Sequence, residues 1–168
     1  MEKQFTYSII TLSDKGSKGL REDKNKSIIE NIMSKHGYIL EKYILIPDDK
    51  DILKKSILSL YKHSDIILTN GGTGVSPRDI TPDVTVELID KRLYGFETLM
   101  MIESLKITRY AAISRAICGI KGNTIIINLP GSPEAVSEQL RIIVPIMKHT
   151  LDKINGDEKD CANIKNKD

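Results

Sequence analysis

What this 168-residue chain lacks narrows its function first. It has only two cysteines, Cys118 and Cys161, far apart, with no Cys-x-x-Cys spacing and no accompanying histidine cluster. That pattern fits a reducing cytoplasm better than a disulfide framework or a zinc site. The three histidines, His36, His63 and His149, fall in or beside helical segments and form no Ser-His-Asp or Cys-His arrangement, so they read as surface residues rather than bases. A net charge of only +2, with the basic residues scattered, leaves no nucleic-acid footprint. No apolar run reaches membrane-spanning length, and Met1-Glu2-Lys3-Gln4 is followed by no apolar leader core. The expectation is a soluble, cytoplasmic protein with no membrane partner. There is no internal repeat and no linker. One domain over residues 1–156 is expected, long enough to bury a sizeable core, with a charged, disordered tail over 157–168.

What is present alternates between strand and helix patterns. Tyr7–Leu12 reads as a first strand buried on both faces, and Lys15–Lys24 as a polar loop turning at Gly16 and Gly19. A helix follows, with Ile28, Ile29, Ile32 and Met33 on one face and a stop near Gly37. Tyr38–Ile46 is a second strand ended by Pro47, and Ile52, Leu53, Ile57 and Leu60 mark the next helix. A third strand, Asp65–Thr69, precedes a helix carrying Val84, Leu88 and Ile89. Gly95 is expected to break the chain ahead of a helix over Phe96–Lys106, in which Met100 and Leu105 read as core. Ile117–Ile120 and Thr124–Leu129 flank the hairpin signal Lys121-Gly122-Asn123. Ser132-Pro133 opens a last helix bearing Val136, Leu140, Ile143, Met147 and Leu151, which Pro145 is expected to kink or break in two. The fold class is α/β, a doubly wound three-layer sandwich whose mostly parallel sheet carries one antiparallel hairpin element.

The chain is organised around Thr69-Asn70-Gly71-Gly72-Thr73-Gly74-Val75-Ser76-Pro77-Arg78-Asp79-Ile80-Thr81-Pro82. Strand, glycine-rich loop and helix start, with Thr81 as N-cap and Pro82 at the first helical position, is the layout that converges backbone N–H groups on an anion. Gly71, Gly72 and Gly74 permit positive φ and close ligand approach, so a side chain at Gly72 would crowd bound phosphates. The stretch is neither Gly-x-Gly-x-x-Gly, since Pro77 occupies the third glycine position, nor a P-loop, since no Gly-Lys-Ser/Thr follows. Ser13-Asp14, Asp48-Asp49, Thr73–Asp79 and Asn128–Ser132 each follow a strand, and in a parallel sheet they share one edge. Anion donors ringed by carboxylates, without a protein nucleophile, suit phosphoryl or nucleotidyl transfer. On the residues alone, Asp48 is equally a helix N-cap, and Asp79 a turn residue paired with Arg78.

Gly-Gly-Thr-Gly followed by Arg-Asp-Ile-Thr-Pro resembles the signature of the molybdenum-cofactor biosynthesis domain, found in molybdopterin adenylyltransferases and the N-terminal domain of gephyrin. Asn128-Leu129-Pro130-Gly131-Ser132-Pro133 is similar to the family's second signature, and the likeness runs from Tyr7 to Gly156. The resemblance implies that AMP is transferred from ATP to the phosphate of molybdopterin, with Mg2+ required and Asp48 and Asp79 as catalytic metal ligands. It implies substrate-binding roles for Ser13, Asp14, Gly71, Gly72, Thr73, Gly74, Ser76, Arg78 and Thr81 around the loop. Further along the chain it implies such roles for Ser114-Arg115, Asn128, Pro130, Gly131 and Ser132. Met100–Thr108 resembles a eukaryotic version of the domain in which Ser104 helps hold molybdopterin. A homotrimer and a hand-over to a molybdenum-insertion protein are implied as partnerships. A non-catalytic molybdopterin carrier or scaffold is the alternative. The chain departs from the family pattern at Asn25-Lys26, where Ser-Gly often follows. It departs again at Thr98 and Met101, where many bacterial members carry Glu and Arg, with Glu97 one position early. Arg109 replaces a common proline.

Overall fold

The computed structural model describes residues 4–20 and 22–157. The expected tail lies outside them except for Asp157, as do Cys161 and the first three residues. Among these residues a six-stranded sheet forms in the order β2-β1-β3-β6-β5-β4. Its strands are β1 Thr6–Leu12, β2 Ile39–Ile46, β3 Ile66–Asn70, β4 Lys91–Arg92, β5 Cys118–Lys121 and β6 Thr124–Leu129. Strands β2, β1, β3 and β6 run parallel, while β5 and β4 are antiparallel additions joined through the hairpin at Gly122. The helices are α1 Asp14–Ser17, α2 Lys24–Lys35, α3 Lys50–Leu60, α4 Thr81–Leu88, α5 Tyr94–Ile107 and α6 Pro133–Ile154.

Period-two alternation sorts the strand side chains into two cores. Ile66, Leu68, Ile125, Ile127 and Leu129 face one layer with Ile29 and Met33 of α2 and Leu140 and Ile143 of α6. Ile67 and Ile126 face the other, with Leu53 and Ile57 of α3 and Val84 and Leu88 of α4. Both faces are covered, so the central strands read as continuous apolar runs rather than as alternating ones. Each fully buried Ile or Leu contributes about 1.5–3 kcal/mol relative to exposure. The chain passes from β1 outward to β2 and then back across β1 to β3, so the strand order reverses between β1 and β3. In an open α/β sheet that reversal opens a crevice at the carboxyl ends of the strands.

Several local expectations are corrected. Asp14–Ser17 forms a short helix capped by Ser13, inside the run read as loop from Lys15. Gly95 does not break the chain; it lies in the first turn of α5, and the interruption comes earlier at the edge strand β4. Leu105 is 43% exposed although Met100 is buried. Pro145 leaves α6 as one helix of 22 residues. Its ring sits on the exposed side, and Val144 and Met147 bury the opposite side, so packing holds the helix across the missing backbone donor. None of the described helices is long and apolar enough to cross a membrane.

Candidate functional site

A cavity of about 630 Å³ opens at the switch point between β1 and β3. Of the residues expected to bind ligand or metal, Ser13, Asp14, Asp48, Gly71, Gly72, Asp79 and Gly131 line it. The floor is the glycine-rich loop, and its geometry is fixed from several sides. Gly71 has φ +98°, and a Cβ there would stand 2.9 Å from the Leu12 carbonyl oxygen. Gly72 has φ +66°, and a Cβ would meet Thr81 Oγ1 at 2.6 Å, so the first obstacle to a side chain is protein rather than ligand. The Gly71 N–H donates to the Leu129 carbonyl at 3.0 Å. Thr81 is fully buried, and its hydroxyl donates to the Gly71 carbonyl at 2.8 Å. Helix α4 is entered from Ile80 without a side-chain cap; Thr81, expected as N-cap, ties down the loop instead. Among the described residues, the amides of Gly72, Thr73 and Gly74 meet no protein acceptor and remain available to an anion.

Arg115 holds the far side of the loop. Its guanidinium donates to the Gly74 carbonyl at 2.7 Å and the Asp79 carbonyl at 2.6 Å, and its backbone N–H donates to the Thr73 carbonyl at 2.8 Å. Asp83 completes the clamp with a two-pronged ion pair to Arg115. The hydrogen bonds from Arg115 hold the Asp83 carboxyl below the usual carboxylate range.

Five acidic residues line the cavity: Asp14, Glu22, Asp23, Asp48 and Asp79. Asp14 pairs with the Arg78 guanidinium and accepts the Asp48 backbone N–H at 3.1 Å. Asp79 accepts from the Ser76 N–H at 2.8 Å, a turn contact, while Arg78 itself turns to Asp14. Asp49, not Asp48, caps α3 by accepting from the Ile52 N–H at 2.9 Å, which leaves the Asp48 side chain to the cavity. Burial and the negative charge of Asp14, with a smaller push from Asp79, raise the Asp48 carboxyl above its ordinary range. Among the described residues no group of three or more His, Cys, Asp or Glu side chains forms a ready-made metal cluster.

Other expected residues lie elsewhere. Asn128 is fully buried; its amide accepts the Ile117 N–H at 3.2 Å and donates to Thr69 and Thr85 hydroxyls, both at 2.9 Å. It ties β6 to β3 and α4. Ser132 caps α6, Ser76 accepts from the Arg78 N–H, and the Pro130 carbonyl accepts from Asn70. Ser114 and Arg115 line a second, more open hollow of about 560 Å³ together with Thr98 and Met101. There Glu97 pairs with Arg92 and accepts the Cys118 N–H at 3.0 Å. Ser104 is buried in a narrow crevice beside it, where its hydroxyl accepts from Gln139 at 3.1 Å. Asn25, Asn70, Asp83 and Gln139 were not legible as site residues. Asn25 follows the run read as loop and stood out only as a departure from the family pattern, and only the fold brings these four against the loop or Ser104. His36 and His63 are exposed and His149 is half-buried.

A clamped glycine-rich loop beside carboxylates at the switch point of a doubly wound sheet defines the class: an α/β protein with a polar cleft at the carboxyl ends of its strands. The chain belongs to the molybdenum-cofactor biosynthesis family, described as a probable molybdopterin binding domain, whose model matches residues 8–149. It is 36% identical over 154 residues to a molybdopterin adenylyltransferase of Helicobacter pylori, covering 88% of this chain and 86% of that protein. It is 35% identical over 159 residues to the molybdenum cofactor synthesis protein cinnamon of Drosophila melanogaster, covering 92% of this chain but only 26% of that longer protein. A crystal structure of a molybdopterin biosynthesis enzyme, MoaB, from Thermus thermophilus superposes with a TM-score of 0.85 at 39% identity, covering 90% of this chain and 97% of that one.

Proposed function

We propose that the protein acts in molybdenum cofactor biosynthesis as a molybdopterin adenylyltransferase. The observation that carries this reading is the clamped glycine-rich loop, whose Gly71 and Gly72 line one cavity with Asp14, Asp48 and Asp79. The similarity to a named adenylyltransferase supports it. In the reaction an oxygen of the molybdopterin phosphate attacks the α-phosphorus of ATP. A new P–O bond forms, the bond from the α-phosphorus to the bridging oxygen breaks, and pyrophosphate leaves with the electron pair.

The chain's own part is positioning and charge. The loop amides receive phosphate oxygens, Arg115 and Thr81 keep those amides fixed, and Arg78 offers a cation at the cavity edge. Mg2+ takes one or two carboxylates together with substrate phosphates, and the crowded acids of this cavity fit that demand, with Asp48 and Asp79 as the residues that would hold it. Such an ion would offset the repulsion between two approaching phosphates. Ser104, Ser114 and the open hollow beside them serve as the pterin side in this reading.

The assembly proposed is a homotrimer. Helix α5 and the 3₁₀ turn Arg109–Ile113 expose Ile102, Leu105, Ile107, Tyr110 and Ile113 along one continuous stretch, with Tyr110 75% exposed. An apolar stretch of this extent marks a protein contact. Cytoplasmic work and hand-over of the product to a molybdenum-insertion protein complete the proposal. The test mixes the purified protein with ATP, Mg2+ and molybdopterin. Adenylylated molybdopterin and pyrophosphate are expected, with most turnover lost in folded Asp79→Asn and Asp48→Asn. Tight molybdopterin binding without product would favour a carrier, and wild-type rates in the folded double variant would sink the metal assignment.

A further inference from the structure

The open hollow and the narrow crevice that holds Ser104 share a wall made of Glu97, Met101, Ser114 and Ala116. Glu97 is the one charged side chain on that wall among the described residues. It lies in the first turn of α5, and its side chain keeps 15% of its surface exposed. Two other elements hold its carboxylate. Arg92 of the edge strand β4 donates through Nε to Oε1 at 2.9 Å and through Nη2 to Oε2 at 3.0 Å. Cys118 of β5 donates its backbone N–H to Oε1 at 3.0 Å. Arg92 is itself steadied by the Tyr94 ring, whose centre lies 4.9 Å from the guanidinium carbon. A carboxylate has about four acceptor positions, so these three N–H groups leave room for one more donor. Pro82, Val86, Ile102 and Ile117 give the hollow apolar sides. Apolar walls around a few fixed polar groups are the make-up of a small-molecule site.

We infer that Glu97 is a specificity-determining residue of the pterin half-site, its carboxylate accepting a hydrogen bond from the N–H donors on the 2-amino-4-oxopyrimidine edge of the pterin ring. The inference rests on reading the hollow and crevice as the pterin side. A pterin is a flat heterocycle that apolar sides can cover, and its 2-amino group and ring N–H stand next to each other as donors. The other polar groups of the shared wall and crevice do not select for donors. The Ser104 and Ser114 hydroxyls can each donate or accept, whereas an ionised carboxylate only accepts. A ring with an oxo group in place of the amino group would set oxygen against oxygen and lose a hydrogen bond to a charged partner. Arg92 and the Cys118 N–H keep the carboxylate from turning away, so its preference is built into the fold.

The test is fluorescence titration of the full chain with 6-hydroxymethylpterin and with 6-hydroxymethyllumazine, in which an oxo group replaces the 2-amino group. Molybdopterin is titrated alongside. Wild-type protein is expected to bind the pterin about tenfold more tightly than the lumazine. In Glu97→Gln the ratio is expected to fall towards one, because a carboxamide can accept from the amino group or donate to the oxo group. A merely structural Glu97 would lower both affinities together and leave the ratio intact, which overturns the assignment. Wild-type protein that binds the two fragments equally, or binds molybdopterin but neither fragment, also overturns it, whether or not the variant folds. Wild-type protein that binds no molybdopterin overturns the pterin reading of the hollow itself.

Discussion

Gly72→Ala adds one methyl group, and the structure specifies what that methyl meets. At φ +66° the backbone is left-handed, which costs an L-residue about 1–2 kcal/mol. The new Cβ lies 2.6 Å from Thr81 Oγ1, too close for any real contact. The hydroxyl cannot rotate away freely, since it is buried and donates to the Gly71 carbonyl. Relieving that overlap adds about 1–3 kcal/mol, so the single variant should lose about 2–5 kcal/mol. Thr81→Ala alone leaves the Gly71 carbonyl without its donor, at about 1–3 kcal/mol. In the double variant the clash disappears, because the next atoms, Asp48 Oδ1 and Thr81 Cβ, stand at an ordinary 3.7 Å. The two changes together should therefore cost about 1–3 kcal/mol less than their sum, well outside the few tenths seen for independent sites. Urea unfolding of the four proteins completes the cycle, and ATP titration alongside reports the loop. Additivity within about 0.5 kcal/mol would refute the idea that Thr81, rather than a ligand, dictates glycine at this position.

Three further outcomes follow from the site. The folded Asp48 carboxyl lies above its unfolded range, so its charged form opposes folding at neutral pH, and stability is gained as pH falls through the raised value. Asp48→Asn should equal wild type within about 0.5 kcal/mol or exceed it at pH 7, with any advantage shrinking on acidification; a clear loss in urea midpoint at pH 7 would contradict this. The Asp83 carboxyl is lowered by Arg115, so its contribution is present above the ordinary carboxylate range and is lost as pH falls through the depressed value. Both partners are well exposed, so Arg115→Lys should cost only about 0–1 kcal/mol in stability while weakening ATP binding several-fold through a looser loop; unchanged affinity would rule out the clamp. If the proposed trimer forms through this surface, replacing Ile107 and Tyr110 together by lysine should leave the subunit folded and give monomers in sedimentation, and an unchanged mass would remove this surface from the assembly.

The layout of the sheet was legible because buried parallel strands announce themselves as short β-branched runs between helical periods, as Ile66–Leu68 and Ile125–Ile127 do. The antiparallel hairpin was legible from Lys121-Gly122-Asn123, where Gly122 adopts φ +56°. Strand β4 was not, because Lys91-Arg92 is a two-residue exposed edge with no apolar pattern. The exposed side of α5 was misread at Leu105, since helical spacing cannot distinguish a core face from an exposed apolar one. Around the cavity, Asp14, Asp48 and Asp79 could be grouped because each follows a strand. Arg115 and Asp83 could not be recognised as a clamp, because they lie 32 residues apart and meet only through the turn of α4 and the loop before β5. Asn128 illustrates the opposite case: its place in a signature motif suggested ligand contact, and the fold uses its whole amide internally.

The packing of α6 bears on how the chain is made. One face of the sheet takes its cover from α2 and α6, and Val136, Leu140, Ile143, Met147 and Leu151 of α6 are all buried there. A ribosome adding about 5–20 residues per second completes β6 before any of that helix exists. Until α6 docks, Ile125, Ile127 and Leu129 lie beside the half-covered β3 with no roof. A nascent chain stalled at this point presents an apolar sheet to the cell, a target for chaperones and a seed for aggregation. Premature release just after Leu129 should therefore be far more damaging than its distance from the glycine-rich loop suggests.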